Sequence, residues 1–322
     1  MPLLSVIKER KISQNFKYFD LQVNGYAGVD FNSLNLTGEE LHTACNKLLE
    51  DNVEGILATI ITDNFDAILT KVKNLVRLIQ QDELVKSVVK GIHIEGPFLN
   101  PEEGYRGAHP KEFIIPADID KAKQMQSRGE GFIKLFTLAP ECDNEFKTTR
   151  FLTENDVVVS AGHTNASLDE LNAAIDNGLK MFTHLGNGSP IVLPKHDNVI
   201  NRVLSLKNKL YISFIADGIH IPEYVLQNYF QIVGFERTII VSDAISASSV
   251  SPGIYSVSNI SVEVGEDKIV REIGKQYLAG SAVTLKESHK ILSQNLSIEE
   301  VDLKVILSDN AKKLLKINEV IE

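Results

Sequence analysis

A chain of 322 residues, 43% hydrophobic and 24% charged, can bury a substantial core and suits one large α/β domain. Its 33 basic residues against 43 acidic ones give a formal charge of -10 with no Lys/Arg stripe, which argues against nucleic acid as a partner. The start, MPLLSVIKERKISQNF, lacks the apolar core of a signal peptide, and nowhere do about 18 apolar residues run together, so a soluble, cytoplasmic protein without a membrane partner is expected. Cys45 and Cys142, the only cysteines, stand far apart in no metal-type spacing and read as buried small hydrophobes.

In chain order, short β-branched apolar runs occur at 19–25 (FDLQVNG), 55–61, 89–96 (VKGIHIEG), 133–140, 157–164 (VVVSAGHT), 181–188 (MFTHLGNG), 210–221 (LYISFIADGIHI) and 238–244 (TIIVSDA). Helical patterns separate them. Thr37 and Glu40 form a capping box before Leu41, Ala44, Cys45 and Leu48, and Ser167 with Glu170 repeats the device before a helix that stops at Gly178. Eight nearly continuous apolar strands alternating with helices predict a parallel (β/α)8 TIM barrel, because such a sheet must be covered on its outer face. The alternating stretch at about 252–277 predicts a β-hairpin insertion, LAGSAVTLKESHKIL a return to helix, and Ser297 with Glu300 a cap on the last helical region. A single barrel domain over 1–322 follows, with 1–18 as a short N-terminal segment.

Polar residues within these runs collect at the strand ends: Gln22 and Asn24 in strand one, Glu95 in strand three, His163 in five, His184 in six, Asp217 and His220 in seven, Asp243 in eight. In a barrel these ends converge on one mouth, where active sites are built. One carboxylate and two imidazoles, Glu95, His163 and His184, are a sufficient ligand set for a divalent ion such as zinc, which would offset the desolvation of Glu95. Each residue also has an ordinary structural reading: Glu95 could pair with Arg106, Asp243 could cap a helix, and Asp217 could hold a turn. The joint pattern favours the site. His42 and His289 sit in helical patterns away from it, and His93 lies one layer deeper on the face of Glu95.

The runs DLQVNG, HIEGPFLNP with GAH following, SAGHTNAS, THLGNG, IADGIH, VSDA and LAGSAVTL, in this order and spacing, resemble the N-acetylglucosamine-6-phosphate deacetylase family of the amidohydrolase superfamily. The resemblance runs from about residue 18 to the NAKKLLKI segment. It implies hydrolysis of the acetamide of an amino sugar phosphate, with Glu95, His163 and His184 as metal ligands and Asp243 as catalytic acid and base. His109 matches a histidine that polarises the acetamide carbonyl, and His220 one that contacts the sugar and phosphate. Gln22 and Asn24 stand where many amidohydrolases have His-x-His for a second metal, which implies one divalent ion per chain, with zinc the first expectation and iron, cobalt or manganese also accepted by this set.

Three departures from the family accompany the match. The family's flanking β-sandwich is absent or vestigial; THLGNGSP replaces a more common Asn-Ala-Met ending while keeping Asn187, with Gly188 leaving backbone amides open to an anion; and the family's phosphate arginine, contributed across a dimer interface, aligns roughly with Lys195. Asn187, Gly188, Lys195, His220, Gln22 and Asn24 are thus the expected substrate contacts, in a homodimer. Two other functions fit the same residues: a deacylase for an unphosphorylated N-acetyl amino sugar or N-acyl amino acid, and a catalytically silent sugar-phosphate binding protein.

Overall fold

A computed structural model describes residues 16–257, 260–266, 268–272 and 280–317. Eight parallel strands form one sheet in sequential order: β1 (Tyr18–Val23), β2 (Val53–Ile61), β3 (Val89–Glu95), β4 (Ile133–Leu138), β5 (Val158–Ala161), β6 (Leu179–Phe182), β7 (Tyr211–Ile215) and β8 (Thr238–Val241). This is the TIM barrel expected from the alternation of apolar runs. Backbone pairing joins every neighbour except β8 to β1. At that seam the Asp20 carboxylate accepts the Ser242 N–H at 3.3 Å, the Ser242 hydroxyl donates to the Gln22 carbonyl at 3.4 Å, and Val23 bridges Ala244.

Alternation along the strands sorts side chains into two cores. Ile56, Ala58, Ile60, Ile92, Ile94 and Ile240 pack outward against the helices, whereas Phe19, Leu21, Leu57, Leu135, Met181 and Ile239 form a separate apolar cluster capped by Ala311 and Leu314. Above that cluster lies a polar belt. Thr59, His93, Thr137, Thr183 and Ser160 are linked in series, with His93 Nε2 2.8 Å from the Thr137 hydroxyl. Burial pushes His93 down to about 4, so it is neutral in this belt, one layer beneath Glu95.

The helices begin where local chemistry directs. α1 (Gly38–Glu50) is capped by Thr37 with Glu40, and the Leu168–Asp176 helix by Ser167 with Glu170, both as complete capping boxes. From residue 280 the segment is not helical throughout. Ser281 bridges Ala244, and the helix runs only over Leu285–Gln294, capped by Thr284 with Glu287. Nor does Ser297 cap the last region: its φ of 55° is left-handed rather than the extended geometry of a cap, and the next helix, Glu300–Lys304, starts after Glu299. Cys45 is buried as expected, while Cys142 is only partly buried and donates to the Leu99 carbonyl.

Between β8 and the 285–294 helix lie three antiparallel strands, β9 (Gly253–Val257), β10 (Ile260–Val264) and β11 (Val270–Glu272). Residues 258–259, 267 and 273–279 of the stretch read as a hairpin, and 1–15 of the N-terminal segment, lie outside the described residues. Among the described residues no helix is long and apolar enough to cross a membrane.

Candidate active site

Glu95 ends β3 and is almost fully buried, so its carboxylate needs partners. Its Oε1 accepts from Gln22 Nε2 at 3.0 Å and from His184 Nε2 at 2.9 Å, and His163 Nε2 lies 3.5 Å away. Arg106 is not its partner; that guanidinium donates to the His109 carbonyl. Ligand atoms of Glu95, His163 and His184 all lie within 4.8 Å of one another. Burial alone would push Glu95 up, but the adjoining His163 and His184 imidazoles outweigh it and hold the carboxyl well below its ordinary value, while burial of His184 is outweighed by its bond to Glu95 and its pKa rises.

The imidazoles are aimed by the backbone. His163 Nδ1 donates to the Tyr105 carbonyl at 2.9 Å, which leaves the Nε2 lone pair facing Glu95. His109 Nδ1 meets the Thr62 hydroxyl at 2.8 Å, and the Glu95 carbonyl lies 3.4 Å from the same hydroxyl oxygen. His109 Nε2 is then 3.3 Å from His163 Nε2. Burial and the neighbouring His163 push His109 down to about 3, so it is neutral. Gly188 has a φ of +66°, and a Cβ there would lie 2.5 Å from His163 Nδ1. The glycine therefore makes room for the histidine, a packing reason that the anion reading overlooked.

Asp243 follows β8 at the same mouth. Asn24 Nδ2 donates to its Oδ1 at 2.7 Å, and no helix follows for it to cap. Burial, then the charge of Glu95, raises its pKa to about 6. Gln22 and Asn24 thus reach Glu95 and Asp243 directly. His220 stands beside Asp217, Nδ1 to Oδ2 at 2.6 Å, and lowers the pKa of Asp243 by its charge.

The structure brings Gln22, Asn24, Glu95, His109, His163, His184 and Asp243 into one polar constellation, with His220 near Asp243. Asn187 follows His184 in the next loop, its Nδ2 buried with no hydrogen-bond partner among the described residues. Lys195, further along that loop, is exposed and makes no hydrogen bond or ion pair among the described residues. Sequence reasoning missed Thr62 and Glu141. Glu141 accepts from Asn100 Nδ2 at 2.9 Å, from Asn165 N–H at 2.7 Å and from the Thr164 hydroxyl, clamping the loop that carries His163.

The donor set fits a divalent ion. A buried carboxylate and two imidazole Nε2 atoms converge, and His184 Nδ1 has no partner among the described residues while its Nε2 proton fills a position a cation would take. A parallel barrel with this cluster and a separate aspartate at its mouth defines a metal-dependent hydrolase of the amidohydrolase class.

Comparison with known proteins narrows the class. No protein-family model matches the chain. It is 30% identical over 300 residues to the N-acetylglucosamine-6-phosphate deacetylase of Bacillus subtilis (strain 168), spanning 92% of this chain and 74% of the relative. The same-named protein of Lysinibacillus sphaericus is 29% identical over 302 residues, 93% and 76% of the two chains. Among solved structures, a variant of N-acetyl-D-glucosamine-6-phosphate deacetylase from Mycobacterium smegmatis in complex with N-acetyl-D-glucosamine-6-phosphate superposes with a TM-score of 0.83 at 25% identity, covering 94% of this chain and 77% of the other. The chain belongs to the N-acetylglucosamine-6-phosphate deacetylase family.

Proposed function

We propose that this protein hydrolyses N-acetylglucosamine 6-phosphate to glucosamine 6-phosphate and acetate. The observation that carries the reading is the convergence of Glu95, His163 and His184 with Asp243 at one barrel mouth, in a chain of this family. Glu95, His163 and His184 would hold one divalent ion, zinc being our first assignment for a carboxylate and two imidazoles. When bound, the ion supplies Lewis acidity and makes a hydrolytic water more acidic. Gln22 donates to Glu95 and is too weak a donor to replace an imidazole, which supports one ion rather than two.

The remaining chemistry belongs to the side chains. An amide is a poor electrophile, and its amine cannot depart as an anion. Asp243 takes a proton from the attacking water through its free oxygen and returns it to the nitrogen, while Asn24 holds the other oxygen in place. Neutral His109, with Nδ1 engaged by Thr62, offers Nε2 towards the acetamide carbonyl, where a proton on that atom would steady the developing oxyanion. His220 meets the sugar and phosphate. Asn187, the amides around Gly188 and Lys195 complete the anion contacts.

We read the chain as one barrel domain with the β9–β11 sheet as an insertion, working as a cytoplasmic homodimer. A sugar phosphate is charged and stays where it is made, and the loop bearing Lys195 exposes Ile191 and Val192, 95% and 85% accessible, beside the mouth. A steady-state comparison of N-acetylglucosamine with its 6-phosphate tests the substrate. The phosphorylated sugar should be preferred by at least about tenfold in kcat/KM, on the scale of one charge-assisted contact. Equal use of both sugars would return the assignment to an unphosphorylated substrate.

A further inference from the structure

Asp217, in the turn after β7, makes more hydrogen bonds than a turn requires. Its Oδ1 accepts the N–H groups of Ile219 at 2.9 Å and His220 at 2.8 Å, which is enough to hold the turn. Its Oδ2 receives two further donors: His220 Nδ1 at 2.6 Å and the Ser281 hydroxyl at 3.0 Å. Four donors fill the lone pairs of a buried carboxylate, so none of them is incidental.

Ser281 comes from a segment that enters after the β9–β11 sheet. Its N–H donates to the Asp243 carbonyl at 3.0 Å, and its own carbonyl accepts from Ile245 N–H and the Ser248 hydroxyl. Close approach is possible because Gly280 precedes it: at a φ of +73°, a Cβ there would lie 2.4 Å from Ile245 Cγ2. One serine therefore touches both the partner of His220 and the backbone of Asp243.

We propose that Asp217 and Ser281 are positioning residues for His220. Asp217 keeps Nδ1 protonated and the ring oriented so that Nε2 is the atom presented to substrate, and Ser281 ties that carboxylate to the main chain of Asp243. The spacing between the histidine that holds the sugar and the carboxylate that moves the proton is thereby fixed. The inference rests on the reading that His220 meets the substrate.

Asp217→Asn separates this role from turn structure. The amide oxygen can keep both backbone bonds, but the amide nitrogen now donates to His220 Nδ1, so the ring proton must move to Nε2. Ring 15N spectra, with His220 assigned by comparison with His220→Asn, should report Nδ1–H in the wild-type protein and its loss in D217N. KM for the sugar phosphate should rise about tenfold, and the double variant should be no worse than His220→Asn alone. An unchanged tautomer, or effects that add in the double variant, would overturn the proposal. Should D217N fail to fold, Ser281→Ala carries the test: kcat/KM is expected to fall severalfold on the wild-type background and not at all on His220→Asn, and a loss that persists there overturns the link. If His220→Asn itself leaves KM and kcat unchanged, the substrate reading fails, while the 15N shifts still decide whether Asp217 sets the tautomer.

Discussion

Asp243, His163 and His184 come from three different strand ends, yet all have positive φ, at 51°, 51° and 32°. Such backbones cost non-glycine residues on the order of 1–3 kcal/mol each, and they persist where surrounding structure over-determines them. Here the surroundings are named: Glu141 clamps the His163 loop, Ser213 accepts the His184 N–H, and Ser281 pairs with the Asp243 carbonyl. Because Asn24 donates to Asp243 Oδ1, an amide oxygen at that position can keep the bond, so Asp243→Asn should leave the site's geometry intact. We expect metal content and substrate binding to be retained and kcat to fall by roughly a thousandfold or more, since the carboxylate acts mainly in the transition state; a comparable kcat would remove Asp243 from the mechanism. Glu95, His163, His184 and Asp243 were legible in the sequence because buried parallel strands are otherwise apolar, so each polar interruption stood out. Thr62 and Glu141 were not legible. Their role exists only through contacts between segments remote in the chain, and a threonine or glutamate after an apolar run looks like any loop residue.

Among the elements, capping chemistry read best where an S/T-x-x-E pattern directly preceded a helical repeat, as at Thr37 and Ser167. It failed around residues 280–300 because two such patterns compete with an apolar stretch of ambiguous period: Ser281 bridges Ala244 outside any helix, so Thr284 rather than an earlier residue begins the helix. The loop after β6 poses a functional question. It places Asn187 near His184, but carries Lys195 out to solvent in the single chain. If a neighbouring subunit's cleft receives that lysine, Lys195→Ala should raise KM for the 6-phosphate about tenfold and leave the unphosphorylated sugar nearly unaffected. Equal weakening of both substrates would assign Lys195 to loop structure.

For the molecule as a whole, the barrel depends on its seam. Backbone pairing joins seven strand pairs, and Asp20, whose pKa burial raises to about 7, helps to close the last joint beside the Val23–Ala244 bridge. Sequence inspection passed over Asp20, since a bulge in β1 between Asp20 and Val23 breaks the simple alternation. A carboxyl raised on folding keeps its proton in the native state after the unfolded chain has lost it; stability therefore falls as pH rises from about 4 through 7. In metal-free protein, Asp20→Asn, which mimics the neutral acid, should match the wild-type Tm near pH ~4 and exceed it by several degrees near pH ~8. A variant destabilised equally at both values would show that Asp20 is ionised at the seam. If a divalent ion held at this barrel mouth drives deacetylation, acetate release from N-acetylglucosamine 6-phosphate should depend on it when measured before and after stripping divalent ions and on adding them back. Release is expected to stop in the stripped protein and to return in full with about one zinc equivalent per chain; undiminished release from metal-free protein, or none from the metal-replete protein, would rule out metal-dependent deacetylation at this site.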